Sequence, residues 1–148
     1  MFPVIISIEG NIGSGKSTIM KYLASNFTSF AKENGKDVKI CYLQEPVEIW
    51  NSFIDKDNIN IIENYYKDQK KYAFPFQMMA YISRLSLFKQ ALSKDYDIIF
   101  TERSMFTDKN VFAQMLYDSK AMNTIEYQIY IKWFDEFLET INAIKTVY

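Results

Sequence analysis

The stretch GNIGSGKS, residues 10–17, joins three glycines to a lysine and a serine at the spacing G-x-x-x-x-G-K-S. A loop of this kind wraps its backbone N–H groups around phosphates, and Gly10, Gly13 and Gly15 supply the unusual dihedrals that wrapping needs. Lys16 is then placed to reach the β and γ phosphates of a nucleoside triphosphate such as ATP, and the Ser17 hydroxyl to coordinate Mg²⁺. Asn11, Ile12, Ser14 and Thr18 complete the loop and the first turn of the helix behind it, whose positive end faces the anion. Three of the four glycines in the chain lie in this loop, so glycine is not scattered filler here.

A phosphate loop defines a donor and leaves the acceptor open. In LQEPVEIW, residues 43–50, Glu45 closely follows an apolar run and Trp50 comes five residues later. A carboxylate near a triphosphate is repelled unless it has a task, and accepting the proton of an attacking hydroxyl is one. Trp50 offers a flat surface of the kind on which bases stack. Glu48 has no such task and reads as a solvated carboxylate. Gln77, Ala80, Tyr81 and Arg84 recur at i, i+3, i+4 and i+7 and share one helix face. A glutamine there can make two hydrogen bonds to one base edge. In ERSMFTDKNVF, Glu102 and Arg103 end another apolar run, and Asp108 and Phe112 lie four residues apart on one helix face. Arg84 and Asp108 carry opposite charges on two helices and suggest a pair, since each would be costly to bury alone.

These residues need elements to position them. The run Val4–Ile8 reads as a buried parallel strand, followed by the glycine turn and a helix with apolar residues at Ile19, Met20, Leu23, Ala24, Phe27 and Ala31. A second strand is expected over 38–43 and a third over 96–102. Residues 52–66 are mixed, with a helix over the second half. Pro75 suits the first position of a longer helix running to about Leu92. A further helix is expected over 105–117. The last begins with a capping box, Asn123 with Glu126, and shows the face Tyr127, Tyr130, Ile131, Phe134, Phe137, Leu138 and Ile141. The closing AIKTVY reads as the start of a fourth strand. Strands alternating with helices argue for an α/β fold with a parallel sheet, in which ligands bind beyond the carboxyl ends of the strands. The three polar clusters fall at such ends, which favours a single site.

The 148 residues suit one domain, and 49% hydrophobic with 24% charged residues is ordinary for a globular protein. A net charge of −1 and the lack of a basic stripe argue against a nucleic-acid partner; KDQKKY, residues 67–72, reads as solvated surface. The absence of histidine excludes histidine triads, dyads and metal sites. No apolar run reaches 18 residues and the N-terminus lacks a signal peptide's basic start, so no membrane partner is expected. One cysteine, Cys41, fits a reducing, cytoplasmic setting.

EGNIGSGKST, EPVEIW, KKYAFPFQ and TERSMF follow one another in an order and at spacings that resemble the deoxynucleoside kinases. That family comprises deoxycytidine, deoxyguanosine and mitochondrial thymidine kinases and the broad-specificity insect enzyme. The resemblance runs from Val4 to Tyr148, and the combination of EPV, PFQ and ERS is far more specific than the glycine loop alone. It implies a three-layer P-loop kinase fold, ATP and Mg²⁺, and transfer of the γ-phosphate to a deoxynucleoside 5′-hydroxyl in nucleotide salvage. Glu45 resembles the carboxylate that binds the 5′-hydroxyl and is proposed as its base. Glu102 resembles the family's other acid near Mg²⁺, also sometimes assigned as the base. Arg103 resembles the arginine at the 5′-oxygen and Tyr66 the tyrosine on the sugar 3′-hydroxyl, with the adjacent Tyr65 as an alternative register. Gln77 resembles the base-reading glutamine, and Trp50, Phe76 and Phe112 the aromatic walls around the base. Ala80, Arg84 and Asp108 fall where deoxycytidine and deoxyguanosine kinases carry the same residues, which implies preference for deoxycytidine or purine deoxynucleosides over thymidine. The resemblance also implies a homodimer built from helices.

Family members continue into a fifth strand and an arginine-rich lid, both beyond Tyr148. The sequence therefore reads as incomplete at its C-terminus, and two alternatives stay open: a thymidylate-like monophosphate kinase, and a catalytically silent nucleotide-binding protein.

Overall fold

A computed structural model of the protein describes residues 3–27, 29–31, 35 and 37–139. The chain forms two compact units. Of the described residues, one holds the chain up to Glu45 together with Ser86–Ser104; the other holds Pro46–Leu85 and residues 105–139.

The first unit is built on a sheet of β1 (Val4–Ile8), β2 (Ser29–Ala31), β3 (Asp37–Leu43) and β4 (Ile98–Glu102), in the order β1-β4-β3-β2. β1 and β3 both run parallel to β4, with Ile8 opposite Glu102 and Leu43 opposite Thr101. The three expected strands thus form the expected parallel core, and their carboxyl ends lie at one level. β2 was not anticipated: the apolar spacing carried the preceding helix to Ala31, but that helix ends at Asn26 and Ala31 lies in the strand. It is a three-residue antiparallel addition that pairs with β3 along its other edge, too short to leave a periodic signal. Helix α1 (Lys16–Asn26) follows the glycine loop, and its Met20 is buried along with Ile5, Ile40 and Ile99 of the strands. β1 is less covered than its apolar run suggests: Ile5 alone is fully buried, and Val4 is 45% exposed.

The second unit is helical: α2 (Val47–Asn51), α3 (Ile61–Lys67), residues 69–85 of α4 (Gln69–Leu92), α5 (Met105–Thr107), a π-helical segment (Asp108–Ala113), α6 (Gln114–Asp118) and α7 (Thr124–Glu139). Two expectations are corrected here. Helix α4 starts at Gln69, not at Pro75, and the proline lies inside it. An interior proline lacks an N–H and costs about 3 kcal/mol. Burial offsets this: Ala73 is fully buried, and Phe74 packs against both apolar clusters of the unit. The helix expected over 105–117 contains six π-helical residues. π-helices are rare and frequent at functional sites, and a segment of six residues is too short for its wider spacing to show in the sequence pattern.

The larger cluster joins Tyr81 and Leu85 of α4, Ala113, and Tyr130 and Phe134 of α7, with Tyr127, Ile131 and Phe137 packed against it. This is the expected face of α7. Its Leu138 side chain and Ile141, and the expected strand at 143–148, lie outside the described residues. The capping box is formed: Asn123 Oδ1 accepts from the amides of Ile125 (2.9 Å) and Glu126 (3.0 Å), and Glu126 Oε2 accepts from the Asn123 amide (2.8 Å). Among the described residues no helix is long and apolar enough to cross a membrane.

Because Asn123 serves two otherwise orphaned amides, Asn123→Ala should lower unfolding stability by about 1 kcal/mol. Urea denaturation is the check; an unchanged midpoint would show that α7 is held by its apolar face alone.

Candidate active site

The glycine loop has the backbone its composition demands. Gly15 caps α1 in the left-handed region (φ 88°), which a side chain resists. A Cβ at Gly10 would lie 2.7 Å from Ser14 Oγ, so the loop closes on itself there. No acidic residue occupies the first turn of α1, leaving its positive end to an anion. Lys16 is buried and donates from Nζ to the Asn11 carbonyl at 2.7 Å. Asn11, Ile12, Ser14, Ser17 and Thr18 are exposed.

The level strand ends bring the first unit's acids to this loop. Ser17 Oγ donates to Glu102 Oε1 at 2.6 Å. A hydroxyl beside a carboxylate suits Mg²⁺, which takes oxygen ligands and keeps few protein ones, filling its octahedron with water and phosphate. No cluster of three or more acidic or thiol side chains that could hold a metal occurs among the described residues. Arg103 Nη1 pairs with Glu45 Oε1 at 2.5 Å, and its Nη2 donates to the Gly10 carbonyl at 3.3 Å. One guanidinium therefore ties the carboxylate to the phosphate loop. Arg103 is itself left-handed, with φ 64°. This conformation costs a non-glycine residue about 1–2 kcal/mol. Strain of this sort tends to collect at functional positions.

The second unit holds the remaining candidates. Asp108, 1% exposed, opens the π-helical segment. Its carboxylate pairs with Arg84 and accepts from Gln77 Nε2 (2.9 Å) and the Tyr130 hydroxyl (2.9 Å). The ion pair expected from the charges of Arg84 and Asp108 is thus present, and Gln77 joins it. The Arg84 guanidinium also lies over the Trp50 ring, 5.2 Å from its centre, and the indole N–H donates to Ser83 Oγ at 2.8 Å. Phe76 meets Trp50 edge-on at 5.7 Å and stacks on Tyr65 at 4.8 Å. Tyr66 is 69% exposed and edge-on to Tyr65, so Tyr65 rather than Tyr66 packs on Phe76. Phe112 is half-buried on the π-helical segment, and Glu48 is exposed in the first turn of α2.

Ser83 and the hydrogen-bonding role of Tyr130 went unnoticed in the sequence. Tyr130 belongs to the apolar stripe of α7, and nothing in its spacing distinguishes a phenol that packs from one that also donates. Burial pushes its hydroxyl well above the usual tyrosine value, and the adjacent Asp108 charge raises it further.

A family model described as deoxynucleoside kinase matches residues 6–148. The chain belongs to the deoxynucleoside kinase family. Deoxynucleoside kinase relatives include a fowlpox virus protein named as a probable deoxycytidine kinase, 36% identical over 90% of this chain and 51% of its own length. Mouse deoxycytidine kinase is 31% identical over 88% of this chain and 53% of its own. The mitochondrial deoxyguanosine kinase of Xenopus laevis is 28% identical over 86% and 50%. The chain spans about half the length of the curated relatives it matches.

Tyr130→Phe should cost about 1.5–3 kcal/mol, the value of a hydrogen bond to a charged group. The raised phenol adds a pH signature. Its stabilisation is complete below the ordinary tyrosine value of 10.0 and is lost as pH climbs from there toward the folded value. Unfolding free energy measured from pH 8 to 11 should fall above pH 10, and less steeply in Tyr130→Phe; parallel curves would contradict the assignment.

Proposed function

We propose that the protein transfers the γ-phosphate of ATP to the 5′-hydroxyl of a deoxynucleoside. The observation that carries this reading is the Arg103 guanidinium, shared between the Glu45 carboxylate and the Gly10 carbonyl. It keeps a proton acceptor at the lip of a phosphate loop, where an attacking hydroxyl needs one. On ATP binding, Lys16 exchanges the Asn11 carbonyl for phosphate oxygens. Glu45 accepts a hydrogen bond from the 5′-hydroxyl and orients it in line. Arg103 offsets charge on the transferring group. Glu102, beside Ser17, is the second candidate for the base. Ser17 and Glu102 would hold Mg²⁺, whose chemistry would be to neutralise charge on the triphosphate. The transition state is loose in most analyses, so positioning and charge carry more of the rate than proton removal does.

The second unit, taken by itself, holds the residues proposed to read a base. Gln77, Arg84 and Asp108 offer donors and an acceptor within an aromatic surround of Trp50, Tyr65 and Phe76. Such a set favours a base with exocyclic amine and ring-nitrogen partners over thymine, so deoxycytidine or a purine deoxynucleoside is the preferred acceptor. The names of the deoxycytidine and deoxyguanosine kinase relatives support this. Salvage of nucleosides in the cytoplasm is the setting that fits such an activity.

Glu45→Gln keeps shape and removes the accepting charge. It should lower kcat on deoxycytidine by roughly 10²–10⁴-fold while leaving ATP binding near normal. A loss below about threefold, with a larger one in Glu102→Gln, would move the base to Glu102. For base choice, kcat/KM is compared across the four deoxynucleosides. Thymidine should not rank first, and Arg84→Met with Asp108→Ala should shift preference toward it by about 1–3 kcal/mol. A thymidine optimum in the unmutated protein would refute the base assignment.

A further inference from the structure

Among the described residues three non-glycine residues have positive φ: Asn58, Arg103 and Lys120. Asn58 and Lys120 sit in turns. Arg103 instead follows directly on β4, and a left-handed arginine there must be held by its surroundings. Two backbone hydrogen bonds bracket it. The Arg103 amide donates to the Ile8 carbonyl at 3.1 Å, which extends the β1–β4 ladder by one step. The next amide, Ser104 N–H, donates at 2.8 Å to a side chain, Glu9 Oε1. That same oxygen accepts from Ser7 Oγ at 2.6 Å, which fixes the carboxylate from the strand below.

Glu9 is otherwise out of place. It immediately precedes the phosphate loop, where a negative charge opposes the anion the loop is built for. We propose that Glu9 is a positioning residue: by accepting the Ser104 amide proton it holds Arg103 left-handed and so aims the guanidinium at Glu45 and the Gly10 carbonyl. The idea rests on the role given to Arg103 above. Without the bond, the 103–104 peptide is released to a right-handed or extended conformation, and the guanidinium turns away from both partners. Glu9 touches no reacting atom in this account; it acts through Arg103.

The test is a double-mutant cycle with a conformational readout beside it. Glu9→Ala should lower kcat for deoxycytidine phosphorylation by about 10- to 100-fold, the scale of a displaced catalytic group, with KM for ATP little changed. Glu9→Gln keeps an oxygen that can accept from the Ser104 amide and should recover most of the loss. In an Arg103→Ala background, Glu9→Ala should cost less than about twofold more, because the group it positions is gone. Multiplicative effects, or a Glu9→Gln as poor as Glu9→Ala, would overturn the proposal. If Glu9→Ala does not fold, Glu9→Asp keeps the charge and withdraws the oxygen by one methylene; a wild-type kcat in it would overturn the proposal equally. Backbone chemical shifts of Arg103 and hydrogen exchange at Ser104 decide the matter apart from activity. Glu9→Ala should move Arg103 out of its left-handed shifts and speed exchange at Ser104, while Glu9→Gln preserves both. Unchanged shifts in Glu9→Ala would reject the positioning role even if the protein transferred no phosphate, and changed shifts without turnover would fault the kinase reading alone.

Discussion

A carboxylate withdrawn from water must be compensated, and Asp108 is the point at which the helical unit meets that demand. Taking an ion out of water costs several kcal/mol after relaxation. Arg84 and Gln77 from α4 and Tyr130 from α7 converge on it. Tyr130 is also a member of the aromatic core with Tyr81 and Phe134. Packing and polar satisfaction therefore use the same side chain, and α4, α7 and the π-helical segment are constrained together. Apolar residues of similar volume would usually stabilise such a place at least as well as a buried ion pair does. Under the proposed function, the network would present oriented donors and acceptors to a ligand.

The first unit answers a different constraint. A parallel sheet delivers several strand ends to one edge, and here β1, β3 and β4 end level. The residues just past those ends are the glycine loop, Glu45, and Glu102 with Arg103. Backbone geometry gathers them, and side-chain bonds refine the arrangement: Ser17 to Glu102, Arg103 to Glu45 and to the Gly10 carbonyl. The left-handed backbone of Arg103 is the local cost of this arrangement, and the surrounding hydrogen bonds offset it.

Much of this was legible in the amino-acid order because it follows from short-range rules. The phosphate loop, the bounds of β1, the capping box at Asn123 and the apolar face of α7 each depend on residues a few positions apart. The Arg84–Asp108 pair was legible from burial cost and opposite charge. Family resemblance, carried by EPV, PFQ and ERS, pointed to the fold that the parallel strands of the first unit display. Other features depend on contacts distant in sequence. Helix α4 extends back past Pro75, where Ala73 is buried and the partly buried Phe74 packs against other segments. The donors that hold Asp108 come from α4 and α7, and Tyr130 reads in sequence as one more core aromatic. The π-helical segment and the positive φ of Arg103 leave no mark on hydrophobic periodicity. Strand β2 is three residues long, below what any periodic pattern can mark.

In the function proposed here, the phosphate loop and the Glu45–Arg103 pair direct a γ-phosphate to a nucleoside hydroxyl rather than to water or to another phosphate. The fate of that phosphate tests it most directly. Purified protein is incubated with γ-labelled ATP, Mg²⁺ and deoxycytidine, and the labelled product is identified by chromatography and mass. The label should appear in deoxycytidine 5′-monophosphate, in proportion to added nucleoside. Label recovered as inorganic phosphate regardless of nucleoside, transfer only when a nucleoside monophosphate is supplied, or ATP bound and left intact would each contradict the account.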